Sequence, residues 1–331
     1  MSFFPMEIED IVPVRTVQMT LFGTKAEPNI HERNCEVISC SRRTDIPAMH
    51  MAEILQTIRE KGWTTVANPR NPKQVSKVSL LPNHVKCFAW WSKNYGSFME
   101  LYEANKDIIH KYIHIFNFTI NSPCELEPGM EMVPLRDRLD QMRFLARTFG
   151  PDSVVLRFDP ICQWISTDGT KKDNLVAFDT ICKAGSDAGI KEIHIAFMRV
   201  DSRITARMRS YGLVAISTPM EERREIVAWM ASVAWGHGVS LSSCVGDEII
   251  GDYSSISVGA SICIDGERIN KLLKAAGRPL LSQTTMKKDS GQRAGCRCIT
   301  SVDIGSYTDL CVNGCVYCYA RPQRIPIPHA L

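Results

Sequence analysis

The run Val85-Lys86-Cys87-Phe88-Ala89-Trp90-Trp91, closing on Ser92-Lys93-Asn94, carries one charge among apolar residues. It is too short for a typical helix and too continuously apolar to alternate between core and water. A strand covered on both faces reads this way, and such strands belong to parallel sheets shielded by helices. The pattern recurs outward in both directions, at 37–40 and 63–67 before it and at 112–120, 153–158, 192–197, 239–242 and 297–302 after it. Between these runs lie stretches of helical period. In 134–149, Leu135, Leu139, Met142, Leu145 and Phe149 share a face. Thr218-Pro219-Met220-Glu221 reads as an N-cap, a first-turn proline and a capping-box glutamate that open a further helix. Helices are also expected over 47–61, 97–110, 174–188 and 269–276.

Eight strands, nearly all followed by a helix, predict an α/β chain folded as a (β/α)8 TIM-type barrel with a parallel sheet. No glycine-rich turn follows the first run, which argues against a doubly wound sheet. The expected organisation is an N-terminal extension over 1–35, containing Pro5, Pro13, Gly23 and Pro28, and one barrel domain over 36–331. In such a barrel the strand ends form one mouth. Ser41-Arg42-Arg43-Thr44-Asp45, Ser92-Lys93-Asn94, Arg157 with Asp159, Arg199 and Ser243-Cys244 would all reach it.

Composition narrows the classes. With 44% hydrophobic and 23% charged residues in 331, the chain is an ordinary globular protein, and a net charge of +3 does not by itself imply nucleic acid. There is no run of 18 apolar residues, and Glu7, Glu9 and Asp10 stand where a signal peptide needs an apolar core, so a cytoplasmic protein with no membrane partner is expected. Thirteen cysteines, an odd number, point to buried thiols and metal ligands in a reducing compartment rather than to a disulfide scaffold.

The densest cysteines are in Cys311-Val-Asn-Gly-Cys315-Val-Tyr317-Cys318. Their spacing lets one loop wrap three thiolates around one face of a metal centre, with Gly314 allowing the backbone to curl. Three ligands leave a position open for another group, unless Cys296 or Cys298 closes a zinc site. Cys244, Cys263, Cys296 and Cys298 could together hold an auxiliary iron–sulfur cluster, or Cys244 and Cys263 could be inert buried thiols.

The Cys-x3-Cys-x2-Cys spacing with an aromatic before the last cysteine resembles the cluster loop of radical S-adenosylmethionine (radical SAM) enzymes. That family usually carries the loop near the N-terminus, and here it lies at the other end. With Ile38-Ser-Cys-Ser-Arg-Arg-Thr-Asp-Ile-Pro47, Asn68-Pro-Arg-Asn-Pro72, Trp90-Trp-Ser-Lys-Asn94 and Asp303-Ile-Gly-Ser-Tyr307, the chain resembles the domain of unknown function 1848 family from about residue 36 to 320. The resemblance implies a [4Fe–4S] cluster on Cys311, Cys315 and Cys318, with SAM on its fourth iron. It implies oxygen sensitivity, a donor such as flavodoxin or ferredoxin, and hydrogen abstraction from an unidentified small molecule, peptide or modified nucleic acid. It also implies a barrel circularly permuted relative to the usual radical SAM order, with the 297–302 strand beside 37–40.

On that resemblance, Ser41, Arg42, Arg43 and Asp45 stand where the methionine part of SAM is held. Ser92, Lys93 and Asn94 stand near its ribose and carboxylate, and Tyr317 lies within the cluster loop, while Arg157 and Asp159 are candidates from their place at the end of the fifth strand, where one of them could line the substrate side. Blander roles compete. Asp45 is placed to cap the helix at Pro47, Arg157 and Asp159 could be a buried ion pair, and Trp90-Trp91 could pack core and rim. The basic segment 287–293 would by default be a solvated, flexible loop. Two other functions remain open, a structural iron–sulfur or zinc protein with non-radical chemistry at the mouth, and a nucleic-acid-binding or repair protein resembling spore photoproduct lyase.

Overall fold

The computed structural model describes residues 30–68, 71–244, 248–320 and 322–327. The expected extension over 1–35 therefore lies outside the described residues up to position 29, as do Pro69 and Arg70. Ile30–Arg33, Trp63–Asn68 and Asn71–Ser79 form a small mixed sheet of their own.

The main sheet has nine strands among the described residues. In chain order they are β1 (Val37–Cys40), β2 (Cys87–Ser92), β3 (Ile113–Thr119), β4 (Val154–Ile161), β5 (Glu192–Phe197), β6 (Ser240–Cys244), β7 (Gly251–Tyr253), β8 (Ile256–Ser261) and β9 (Val302–Asp303). Their spatial order is β7-β8-β6-β5-β4-β3-β2-β1-β9. All neighbours run parallel except β7 and β8, a hairpin whose turn holds Ser254 at φ 59°.

The continuous apolar runs are explained by cover on both faces. Phe88 and Trp90 of β2 pack with Ile38, Phe116, Phe118, Leu156 and Phe158 beneath the helices 51–60, 96–102, 135–149, 178–187 and 220–236. Cys87, Ala89 and Trp91 point the other way, with Val37, Ile115 and Val155, against Ile269 and Leu273 of the helix Gly266–Ala275 and against Leu281, Cys298 and Ile299. Each large apolar side chain buried in this way stabilises the fold by about 1.5–3 kcal/mol. Among the described residues, no helix is long and apolar enough to cross a membrane.

Three expectations about the sheet change. The sheet is open and mixed rather than a closed parallel barrel, because the hairpin β7–β8 ends it on one side and β9 on the other. The 63–67 run pairs antiparallel with Asn71–Ser79 and stays out of the main sheet. Its threonines and a Trp63 that is 39% exposed leave only Val66 to bury, so it lacks two apolar faces. The 297–302 run contributes only its end, since Val302 pairs with Ile38 and Asp303 with Ser39. That parallel pairing does set β9 beside β1.

The helix Met220–Gly236 begins without a side-chain cap. Thr218 donates its hydroxyl to Gln163 Oε1 instead (2.9 Å), which removes it from the capping role that its spacing suggests. The 287–293 segment is also tied down. Asp289 N donates to Cys298 O (2.9 Å), and Thr300 N donates to Lys287 O (2.8 Å).

Candidate functional site

β9 leads directly into the cysteine loop. Gly314, at φ +60°, turns it through a bond from its N–H to Cys311 O (3.3 Å), and Cys318 N donates to Cys315 O (3.0 Å). Arg207 grips the loop from behind, donating to the carbonyls of Val316 and Cys318. Gly129 grips it from the side, because a Cβ there would stand 2.3 Å from Val312 O and 2.6 Å from Asn313 C. Both atoms are backbone, so Gly129→Ala must move the loop. We expect that variant to lose about 1–3 kcal/mol and to capture iodoacetamide faster at Cys315, which is 6% exposed. Unchanged protection of Cys315 would show that the loop does not lean on Gly129.

Asp45 joins three segments. Its Oδ1 accepts from Ala48 N (3.1 Å), capping the turn Ile46–Met49, while its Oδ2 accepts from Asn313 Nδ2 (2.7 Å) and Lys93 N (3.2 Å). The capping role and a place beside the cysteine loop thus coexist in one carboxylate. Burial raises its pKa, against the hydrogen bonds that favour its charge.

Lys93 turns inward. Its Nζ donates to Glu127 Oε1 (3.0 Å) and lies 5.6 Å from the Tyr317 ring centroid. Glu127 also accepts from Asn121 Nδ2 (2.7 Å) and from the Tyr317 hydroxyl. Burial would push its carboxyl up, but Lys93, Tyr317 and Arg138 together hold it below the usual carboxylate range. Glu127 Oε2 and Arg138 Nε remain buried without hydrogen-bond partners. Asn121 binds the backbone of Asp159 as well, its Oδ1 accepting from Asp159 N (2.9 Å).

A second group lies on the face of the main sheet that carries Trp91. Arg42 and Arg157 flank Trp91, with guanidinium carbons 5.2 Å and 5.4 Å from its ring centroid. Arg42 Nη2 is buried and unpaired. Arg43 instead pairs with Asp303 (3.1 Å). Arg157 pairs with Asp159 and donates from Nη1 to Cys263 Sγ (2.9 Å). Ser41, Ser92 and Asn94 have local work: the Ser41 hydroxyl accepts from Arg43 N (2.8 Å), Ser92 Oγ from Asn94 N (2.8 Å), and Asn94 Oδ1 from Gly96 N (2.9 Å).

The thiols of Cys311, Cys315 and Cys318 are near enough to influence one another's ionisation, and burial pushes Cys311 up to about 12 and raises the other two. Cys263 and Cys296 also fall within electrostatic reach of both Cys244 and Cys298. Among the described residues, however, no three His, Cys, Asp or Glu side chains converge as a metal would need. Cys244 accepts from Arg293 Nη2 (3.1 Å), and Cys298 from Ile264 N (3.4 Å). Two hollows of about 530 and 600 Å³ open elsewhere, around Tyr211, Thr167 and Ile327.

Asn121, Glu127, Arg138 and Asn313 are absent from the sequence-derived candidates. One signal could have found the first two, since 121–127 follows β3 as 93–94 follows β2. Residues 37–320 match the family described as domain of unknown function (DUF1848). The chain belongs to this family. The DUF1848 match opens at β1 and closes two residues after Cys318, so it contains both the main sheet and the cysteine loop. No curated protein matches the chain.

Among solved structures, a D-psicose 3-epimerase with D-tagatose from Clostridium cellulolyticum H10 is 9% identical with a TM-score of 0.19, covering 58% of this chain and 50% of that one. A mannonate dehydratase from Streptococcus suis serotype2 is 13% identical with a TM-score of 0.24, covering 57% and 58%. The chain thus spans between half and three-fifths of the solved chains it matches.

Proposed function

We propose that this DUF1848 protein is a radical SAM-type enzyme. Cys311, Cys315 and Cys318 would hold a [4Fe–4S] cluster, with SAM as co-substrate and an electron donor such as flavodoxin or ferredoxin. When bound, the cluster supplies the electron that cleaves SAM to a 5′-deoxyadenosyl radical, which takes hydrogen from an unidentified substrate. The observation carrying this reading is the loop of three thiols docked by Asn313 on Asp45, beside β1 and the Lys93–Glu127 pair.

The donor set suits the cluster in type and number, since three thiolates leave one iron for another ligand. Because the three thiols do not converge among the described residues, their side chains must turn to ligate it. Two unpaired polar atoms suit the zwitterionic end of SAM. Glu127 Oε2 is an acceptor for an ammonium group, and Arg42 Nη2 a donor for a carboxylate. Asp45 and Asn313 position the loop, and Lys93 counters negative charge beside Cys315.

Anaerobic reconstitution with iron and sulfide, reduction, and assay for 5′-deoxyadenosine test the proposal. We expect SAM cleavage by the native chain and its abolition, with loss of about four irons, in Cys315→Ala. A full cluster that leaves SAM intact would favour a structural iron–sulfur role.

A further inference from the structure

The face of the main sheet that carries Trp91 changes character along its strands. Toward their starts it is apolar, where Cys87, Ala89, Ile115 and Val155 pack with Ile269 and Leu273. The next residue on that face of β3 is Asn117, by strand alternation. Register sets it opposite Trp91 of β2 and Val155 of β4. Arg157 follows Val155 on the same face of β4 and lies over the Trp91 ring at 5.4 Å. Asn117 is 1% exposed, and neither its Nδ2 nor its Oδ1 has a hydrogen-bond partner among the described residues.

A buried amide with both ends unpaired gives up its hydrogen bonds to water and regains none, a cost that an aliphatic residue at this position would avoid. Most buried polar groups are paired, so an orphaned amide marks a partner that the chain does not supply. Trp91, Arg157 and Asp159 beside it are only partly buried, which leaves the ground next to Asn117 within reach from outside. The amide also restricts the shape of that partner. It presents a donor and an acceptor side by side in one plane. A trans peptide group points its N–H and C=O in opposite directions, so it can meet only one of them. A ring lactam, or a ring with an amino group beside a ring nitrogen, offers both on one edge, as adenine does to asparagine.

We propose that Asn117 reads a nucleobase-type ring in a substrate subsite, through two hydrogen bonds to the donor–acceptor edge of that ring. Naming the ring a substrate rests on the radical SAM reading above, whereas its binding does not. Arg42, given there to the carboxylate of SAM, lies over the same Trp91 ring at 5.2 Å, so the ring and the co-substrate share a neighbour. A free nucleoside and an unpaired base in a nucleic-acid strand carry the same edge, and the test separates these two sources.

The test is equilibrium dialysis of the full chain against adenosine, guanosine, cytidine, uridine and a short single-stranded DNA of mixed sequence. A nucleoside that binds, and binds about tenfold more weakly to Asn117→Leu, makes the source a small molecule. A strand that does so when no nucleoside binds makes it a nucleic acid. Binding of neither would overturn the subsite, as would equal binding of an analogue methylated so that the edge loses its N–H. Leucine keeps the outline of asparagine without the orphaned atoms, so Asn117→Leu should raise the urea midpoint of the unliganded chain. A lower midpoint would mean that the amide holds the fold through water, and would also overturn the subsite. SAM cleavage is scored apart. Ring binding through Asn117 without cleavage keeps the subsite and removes the radical reading, and cleavage without such binding does the reverse.

Discussion

Replacing Glu127 with glutamine should cost about 3–5 kcal/mol of unfolding free energy, although the side chain keeps its shape. Glu127 is 1% exposed and faces Lys93, with Arg138 behind it, and both cations are themselves largely buried. A glutamine can still accept from Asn121 and Lys93, so the loss isolates charge from hydrogen bonding. It leaves a buried ammonium and a guanidinium without a counter-charge, which is the costly half of breaking a buried pair. Urea unfolding at pH 7 measures it, and a loss below about 1 kcal/mol would mean that Lys93 swings out to water instead. The pH dependence follows from the depressed carboxyl. The stabilisation from Glu127 is complete above the unfolded carboxylate value and is lost as pH falls through the lower folded one.

Acid should also weaken the fold through His114. Its Nδ1 accepts from Trp90 Nε1 (2.9 Å), so Nε2 carries the proton and donates to Ile109 O (2.8 Å). An indole N–H only donates, which fixes the neutral tautomer. The ring is 4% exposed, stacks near Phe88, Trp90 and Phe116, and meets Phe98 and Phe149 edge-on. Burial pushes it down to about 4. An unfolded histidine titrates near 6.5, so the unfolded chain binds the extra proton first. The contribution is therefore whole above about 6.5 and is lost as pH falls toward 4, amounting to about 3 kcal/mol at 1.36 kcal/mol per pH unit. Urea midpoints between pH 7 and 4 should fall less steeply in His114→Phe than in the native chain, and equal slopes would refute the assignment.

Both predictions concern residues whose importance the sequence conceals. Glu127 sits in Glu125-Leu-Glu-Pro-Gly129, a polar stretch without period, and local chemistry would place it in water. Its burial comes from Lys93 after β2, Asn121 after β3 and Tyr317 in the cysteine loop, partners 34, 6 and 190 residues away. His114 lies within a strand, yet its neutral state depends on Trp90 across the sheet. Asp45 differs. Its cap was legible because the partner is three residues on, whereas its bond to Asn313 spans 268 residues and was not.

The sequence by itself determined the strands of the main sheet that are buried on both faces, because burial on both faces demands continuous apolar runs and leaves that mark in each run separately. It also determined the cysteine spacing and the family, which reside in short segments. Only the tertiary structure decided that the sheet stays open, since closure depends on which strands meet at the edges. The hairpin of β7 and β8 occupies one edge with an antiparallel partner, and the two residues of β9 cover only part of β1 at the other. Pairing of this kind is a contest between distant segments for the same backbone groups. No periodicity within either segment records its outcome.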